Sequence, residues 1–371
     1  MPTNSNRERC VVSILHGVSC KKPWWNDFPH RITQWLDARD VDHRVLYRTP
    51  RDNRKRESSD LTLSAEDLVN PRWVARHLLP LVNRYRHVIV HTHCWPAHTS
   101  LWVLKHFARP TCTWLMTDHL AFPATSANTQ RWKRMIRRVL RRAGYFPDEF
   151  VAVSDYSRSR IERLFGSRGA RTIYNGVSLP TISDVPTPGV VPTRALFAGR
   201  LIQEKGVRPL LQALKLARDQ GLPLTLDVLG DGEEIRWANR FIREHTLQER
   251  VRLRGFVRDM VEWYMQSHLM LIPSLWDEPF GLVSVEAQSC YLPCIYSGGG
   301  GLVETHIEGV TGIQLRNPEN PEEIVEAVRT LQADPVRYHE MRLAAHQNAQ
   351  RFGIERMVEG YCALYEEVFG G

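Results

Sequence analysis

Short apolar runs recur along the chain, each followed by a turn and then by a stretch of helical periodicity. Val11-Val12-Ser13-Ile14-Leu15 opens the series, and His43 to Tyr47 follows. His87-Val88-Ile89-Val90-His91, Thr113-Trp114-Leu115-Met116, Phe150 to Ser154 and Thr172-Ile173-Tyr174 continue it. Between them, Phe28 to Arg39 and Ala97 to Phe107 read as helices. Pro71 sits at a first helical turn and opens a helix to about Tyr85, with Pro80 as a kink. Thr49 to Asp60 is charged and poor in apolar residues, which predicts a mobile loop. The second half repeats the rhythm: strands at Arg194 to Ala198, Leu224 to Leu229, Val251 to Phe256 and Leu269 to Ile272, and a last helix from Glu355 to Val368. Strands alternating with helices predict an α/β architecture of doubly wound parallel sheets. Ligands bind such sheets beyond the carboxyl ends of the strands, where His16-Gly17, His93, His119 and Asn175-Gly176 fall.

The most informative stretch is Glu278-Pro279-Phe280-Gly281-Leu282-Val283-Ser284-Val285-Glu286. It follows a short strand that Pro273 ends, and the helical pattern resumes at about Gly281. The N–H groups near Phe280 to Val283 are then the unpaired donors of a helix start, which suit a phosphate or a sugar hydroxyl. Glu286 lies about one and a half turns further in, placed to grip a vicinal diol such as a ribose. Taken alone, the motif reads equally well as an ordinary strand–loop–helix with two surface acids. Other pieces stand around it. Gly199-Arg200-Leu201-Ile202-Gln203-Glu204-Lys205-Gly206 is a glycine-bounded strand-to-helix loop whose Arg200 and Lys205 can reach one diphosphate. Gly230-Asp231-Gly232 ends another strand, and Ser297 to Glu304 precedes Glu308 to Gly312.

Together these pieces resemble the retaining glycosyltransferases of family 4, in family order from Arg194 to Gly312, with Asn175-Gly176-Val177 ahead of them. The resemblance implies the GT-B fold, two doubly wound Rossmann-like domains facing a central cleft. Residues 1–180 would be the acceptor-binding domain, 181–193 a proline-rich linker, 194–350 the nucleotide-sugar domain, and 351–371 a terminal helix crossing back to the first. It further implies that Arg200 and Lys205 hold the diphosphate and that Glu286 holds the ribose. Glu278, with the amides of Phe280, Gly281 and Leu282, would hold sugar hydroxyls and the distal phosphate. Gly17, Gly199 and Gly230 would allow close approach of the donor, and His119 would stand near the sugar's C6 hydroxyl. One departure concerns the loop after the first strand, where the family usually has paired glycines and this chain keeps only Gly17. Lys21, Lys22, Trp24 and Trp25 in that loop could meet an anionic sugar acceptor; equally, the tryptophans belong to the core.

Composition sharpens the picture. At 371 residues, with 43% hydrophobic and 24% charged, the chain reads as a two-domain soluble globular protein. No apolar run approaches a membrane span, and Met1 to Arg9 lacks a signal-peptide core. Seven cysteines without metal or disulfide spacing fit a reducing cytoplasm. Charge is uneven: residues 1–185 carry 30 Lys+Arg against 16 Asp+Glu, whereas 186–371 carry 19 against 25. Such asymmetry points the first half toward a polyanion.

Arg131 to Arg142 concentrates it: Trp132, Met135, Ile136, Val139 and Leu140 form an apolar stripe, and Arg134, Arg138 and Arg142 lie among the cations. This is read as a helix on an anionic membrane or anionic acceptor, at about 1 kcal/mol per basic residue; the alternative is a solvated domain helix.

His91-Thr92-His93 suggests a metal, but strand residues alternate in direction, which is taken to separate the two rings, and no third ligand has recognisable spacing. Asp118 has no partner for an Asp-x-Asp metal motif. No metal and no cofactor are expected.

The expected function is therefore a retaining, metal-independent glycosyltransferase using a UDP- or GDP-sugar. The expected acceptor is an anionic or lipid-linked envelope glycan such as lipopolysaccharide core, at the inner face of the cytoplasmic membrane. Alternatives are an epimerase or phosphorylase of the same fold, or a basic peripheral membrane or nucleic-acid-binding protein. Nucleic acid is disfavoured because the positive charge is confined to one half and no binding motif occurs.

Overall fold

A computed structural model describes residues 7–16, 23–48, 62–63, 70–93, 99–119, 145–165, 170–183 and 187–370; the side chains of residues 16, 23–26, 47–48, 62–63 and 99 are not described. The loop 49–60, Gly17, Lys21, Lys22 and the basic stretch with Arg134, Arg138 and Arg142 lie outside the described residues, as do the side chains of Trp24 and Trp25.

In chain order the elements begin with β1 (Arg9–His16), α1 (Pro23–Asp37), β2 (Val41–Arg48) and β3 (Thr62–Leu63). Next come α2 (Pro71–His77), α3 (Leu79–Val82), β4 (His87–His93), α4 (Trp102–Phe107), β5 (Thr111–Asp118), β6 (Glu149–Ala152), α5 (Asp155–Phe165) and β7 (Arg171–Thr172). The second series is β8 (Arg194–Ala198), α6 (Val207–Asp219), β9 (Thr225–Leu229), α7 (Ile235–Glu244), β10 (Val251–Gly255), α8 (Val261–Gln266), β11 (Leu269–Ile272), α9 (Leu282–Ser289), β12 (Cys294–Ser297), β13 (Gly312–Leu315), α10 (Pro321–Ala333) and α11 (Pro335–Ala349). The chain closes with α12 (Ile354–Gly370).

The chain divides into two compact units, residues 1–174 with 354–371, and residues 175–353. The first holds a parallel sheet of order β3-β2-β1-β4-β5-β6-β7, the second a parallel sheet of order β10-β9-β8-β11-β12-β13. Each order runs outward and then back from its first strand, the pattern of a doubly wound sheet. The segment around Val177 belongs with the second unit because Val177 N–H donates to the Phe352 carbonyl at 3.0 Å and Val177 bridges Gly353.

The helix expected from Pro71 to Tyr85 is two helices. Asn70 caps α2, its side chain accepting from the Arg72 and Trp73 amides. Pro80 has no N–H to continue the ladder, so the chain breaks at Leu78 rather than bending. The sequence expectation for Ala97 to Phe107 shortens likewise, to one 3-10 turn at Thr99–Leu101 and α4 among the described residues.

In the first unit, Cys10, Val12, Ile14, Val88, Val90 and Trp114 bury one face of the sheet against Val74, Leu78, Val82 and Leu104. The opposite face is more polar. His91 and the residues Tyr361 and Tyr365 of α12 meet there, with His91 Nδ1 and the Tyr365 hydroxyl 2.6 Å apart. Arg171 also pairs with Glu367 of α12, Nη1 donating to Oε2 at 2.6 Å. The terminal helix is therefore part of the first unit's core, with Tyr365 fully buried. The second unit buries apolar side chains on both faces of its sheet, as helices covering each side require.

Candidate active site

In the second unit, loops leaving the carboxyl ends of neighbouring strands interlock through backbone hydrogen bonds. After β8, Gly199 N–H donates to the Leu229 carbonyl at 3.0 Å and Leu201 N–H to the Asp231 carbonyl at 2.9 Å, which ties the Arg200 loop to the Gly230 turn. Gly230 N–H in turn donates to the Gly255 carbonyl at 2.7 Å. After β11, Leu275 N–H donates to the Glu204 carbonyl at 2.8 Å. Past β12, Gly301 N–H donates to the Glu278 carbonyl at 2.6 Å. This closeness needs glycine, as two positions show. A Cβ at Gly230 would lie 1.8 Å from the Gly199 carbonyl oxygen, and one at Gly300 would lie 2.2 Å from that of Glu278; both residues hold positive φ.

These contacts bring Lys205 and Glu278 together. Lys205 Nζ donates to Glu278 Oε1 at 2.5 Å, and Ser274 Oγ donates to the same oxygen at 2.6 Å. Glu278 is 7% exposed. Burial works to raise its carboxyl pKa, but the Lys205 charge and the hydrogen bonds from Lys205 and Ser274 outweigh it and hold the group below its ordinary value. The carboxylate is therefore ionised at neutral pH. Lys205 also lies 5.3 Å from the centre of the Trp276 ring. Arg200, on the same loop, is exposed. The sequence places Arg200 and Lys205 as equivalent clamps; the structure gives Lys205 a fixed carboxylate partner and leaves Arg200 at the surface.

The helix α9 starts just beyond. Gly281 is its N-cap with φ +111°, and no side chain caps it. The first-turn amides of Leu282 and Val283 have no acceptor within the helix, so the positive end of the helix dipole lies beside the Lys205–Glu278 pair. Phe280 is 2% exposed, its ring packed edge-on against Phe352 at 5.5 Å. Glu286, one and a half turns on, is half-buried, and its Oε2 accepts from the Tyr264 hydroxyl at 2.9 Å. Behind the helix start, Ser284 Oγ bonds His306 Nε2 at 2.7 Å and Thr305 Oγ1 at 3.0 Å, which fastens the glycine-rich turn to α9. Burial pushes the His306 imidazole pKa down to about 3, so this fastening stays neutral.

His119 belongs to the first unit. It stands half-buried just past the end of β5, its Nε2 3.1 Å from His93 Nδ1. The reading that His91 and His93 diverge is corrected here. Residues two apart in a strand share a face, and the two ring centres are 4.1 Å apart. Hydroxyls occupy both nitrogens of His91: the Tyr365 hydroxyl at Nδ1, and Thr117 Oγ1 at Nε2 at 2.8 Å.

Of the residues singled out in the sequence, Gly199, Arg200, Lys205, Gly230, Glu278, Phe280, Gly281, Leu282 and Glu286 all lie in the second unit, on or just behind these interlocked loops. His119 stands at a strand end of the first unit. Sequence reasoning missed Ser274, Tyr264 and His93 as partners of site residues. Ser274 carried a signal as the residue after the strand-ending Pro273, and His93 as a residue at a strand's carboxyl end; nothing marked Tyr264.

Two doubly wound parallel sheets, one of them ending in this basic–acidic loop cluster at a helix start, define the GT-B class of two-unit α/β proteins. The family model "Glycosyl transferases group 1" matches residues 188–352 and the model "Glycosyltransferase Family 4" matches residues 28–180, so the chain belongs to this glycosyltransferase family. An uncharacterized glycosyltransferase from Methanocaldococcus jannaschii is 27% identical over 225 residues, covering 60% of each chain. The chain spans between 24% and 65% of the length of the curated relatives it matches. Among solved structures, the lipopolysaccharide outer core galactosyltransferase WaaB in its apo form shares the fold with a TM-score of 0.74, 17% identity, and coverage of 97% of this chain and 99% of that one. Anabaena Alr3699/HepE in complex with UDP shares it with a TM-score of 0.69, 19% identity, and coverage of 96% and 99%.

Proposed function

We propose that the protein transfers a sugar from a nucleotide-diphosphate sugar to a glycan hydroxyl with retention of configuration and without a metal. The observation that carries this is the Lys205–Glu278 pair beside the α9 helix start. It sets a cation, a positive dipole end and a buried carboxylate within one set of loops. In the proposed reaction the bond from the anomeric carbon to the phosphate oxygen breaks, and the acceptor oxygen attacks from the same face. The acceptor's proton goes to the departing phosphate. Lys205, Arg200 and the amides of Leu282 and Val283 stabilise the charge that develops on the leaving group. Glu286, held by Tyr264, takes the ribose diol. Glu278 orients Lys205 and meets the sugar hydroxyls with the oxygen that Lys205 and Ser274 do not occupy. His119 contributes at the donor sugar. The protein supplies positioning and charge stabilisation rather than a nucleophile.

The second unit is proposed to bind the donor and the first the acceptor. For the acceptor we favour an anionic or lipid-linked envelope glycan, such as lipopolysaccharide core, met from the inner face of the membrane. The excess of cations in residues 1–185 supports this, and a fold neighbour acts on the lipopolysaccharide outer core. No helix among the described residues is long and apolar enough to cross a membrane. The donor is proposed to be a UDP-sugar or GDP-sugar, with UDP the first to test because the HepE structure holds it.

A thermal-shift screen of UDP, GDP and their sugars, with and without EDTA, tests the reading. A bound nucleotide raises stability by mass action, by about 2.7 kcal/mol at a hundred times its Kd. One nucleotide series should raise the Tm equally in EDTA, and Lys205→Ala should remove the rise. A screen in which no nucleotide raises the Tm, or in which EDTA cancels the rise, contradicts the proposal.

A further inference from the structure

The strands β4 and β5 end side by side, with His93 in register with Thr117. His119 follows two residues later, so the two strand ends bring His93 and His119 together, Nδ1 to Nε2 at 3.1 Å with ring centres 5.4 Å apart. The two rings differ in their surroundings. His93 is 1% exposed and its ring is walled on three sides: by His91 at 4.1 Å, by Phe28 edge-on at 5.6 Å and by Tyr361 at 6.1 Å. The wall is itself fixed. His91 is bonded at both nitrogens, and the Tyr361 hydroxyl lies 3.0 Å from Thr117 Oγ1, the same atom that bonds His91 Nε2. His119 stands nearer the surface, at the first position beyond its strand.

We infer that His93 is a positioning residue for His119: it fixes the orientation of that ring and which of its nitrogens carries the proton. The inference rests on the proposed role of His119 at the donor sugar. A hydrogen bond between two imidazoles needs one N–H and one lone pair, so the tautomer of one ring dictates that of the other. His93 cannot turn within its walls, and His119 therefore adopts the ring plane and the tautomer that His93 accepts. Where the walled His93 ring holds one tautomer, the other nitrogen of His119 is fixed with it: a donor if His93 Nδ1 donates, an acceptor if His93 Nδ1 accepts.

The test is a long-range proton–nitrogen NMR spectrum of the whole chain labelled with nitrogen-15 histidine, at pH 8. The His119 signals are identified by their loss in His119→Gln. In the wild type, His119 shows the pattern of a single neutral tautomer. In His93→Phe, which keeps a ring but has no nitrogens, the pattern shifts toward an average of both tautomers. In His93→Asn, whose amide stands where Nδ1 stood, the single pattern returns. An averaged His119 pattern in the wild type overturns the inference whether or not either variant folds, and so does an unchanged pattern in a folded His93→Phe. Sugar transfer is measured in the same proteins. Should His119→Gln transfer sugar at the wild-type rate while the spectra behave as stated, the pairing stands and the proposed role of His119 at the donor falls.

Discussion

Replacing Lys205 by Met keeps the aliphatic stem and removes the ammonium group. The buried Glu278 carboxylate then keeps Ser274 as its donor but loses the 2.5 Å bond and the charge of Lys205. Removing one partner of a buried ion pair costs about 3–5 kcal/mol. The side chains here are 20% and 10% exposed, so water softens the loss and about 3 kcal/mol is expected. For a unit of this size that is roughly a 6–12 °C fall in Tm. The pH dependence has a definite sign. In the wild type the Glu278 pKa is depressed, so its stabilisation is present above the ordinary carboxylate pKa and fades as pH falls through the lowered value. In Lys205→Met burial dominates and the folded-state pKa rises, so protonation relieves the penalty as pH falls from 7 toward 4. The gap in Tm between variant and wild type should therefore narrow on acidification. Adding Glu278→Gln to Lys205→Met should recover most of the stability, because no buried charge is then left unpaired. Turnover should stay about 100- to 1000-fold down in the double variant, since the leaving group still lacks its cation. Calorimetric melting at pH 7 and pH 4.5, beside a donor-turnover assay, gives all these values. A Tm unchanged in Lys205→Met at pH 7, or full turnover in the double variant, would refute the reasoning.

Glu286→Gln should weaken nucleotide binding by roughly tenfold, the scale of a hydrogen bond to a charged group, whereas Glu278→Gln should leave the free nucleoside diphosphate nearly unaffected; titration calorimetry separates them, and equal losses would show the roles wrongly divided. Gly300→Ala puts a Cβ 2.2 Å from the Glu278 carbonyl oxygen at a φ of +74°, so it should cost 2 kcal/mol or more and abolish the nucleotide-induced Tm rise, as differential scanning will report. Changing Arg134, Arg138 and Arg142 together to Ser should abolish sedimentation with anionic vesicles while nucleotide affinity stays put; wild-type binding should fall steeply with salt, because Coulomb attraction is screened over about 8–10 Å. Vesicle binding that survives the triple change at low salt would make that stretch an ordinary solvated surface.

Most strands were legible because each is a short run of residues buried in a parallel sheet, as at Leu269–Ile272 and Cys10–Leu15; the short strands β3, β12 and β13 were not expected. The glycine-bounded loops were legible because close backbone approach leaves glycine little competition, as at Gly230 and Gly300. Pairings across the chain were not. Nothing near Lys205 signals that its partner is Glu278, 73 residues away, or that Tyr264 serves Glu286, 22 residues before it. Such contacts depend on strand order and register, which local pattern does not encode. The histidines show the same limit from the other side. Treated as neighbours in one strand, His91 and His93 suggested a metal question. The sheet instead gives each ring different company: Tyr365 and Thr117 for one, His119 for the other. The break at Leu78 in place of a kink at Pro80 was not legible because the missing N–H of a proline is compatible with either outcome.

The central claim is retaining, metal-independent transfer from a nucleotide-diphosphate sugar. Its most direct measurement is the proton NMR spectrum of the product formed from an α-linked UDP- or GDP-sugar donor and an anionic glycan acceptor, with EDTA present throughout. The account predicts release of the nucleoside diphosphate and a new anomeric signal with the small coupling of an α-linkage, at a rate that EDTA does not change. A β-linked first product, or transfer that stops when EDTA is added, would contradict it.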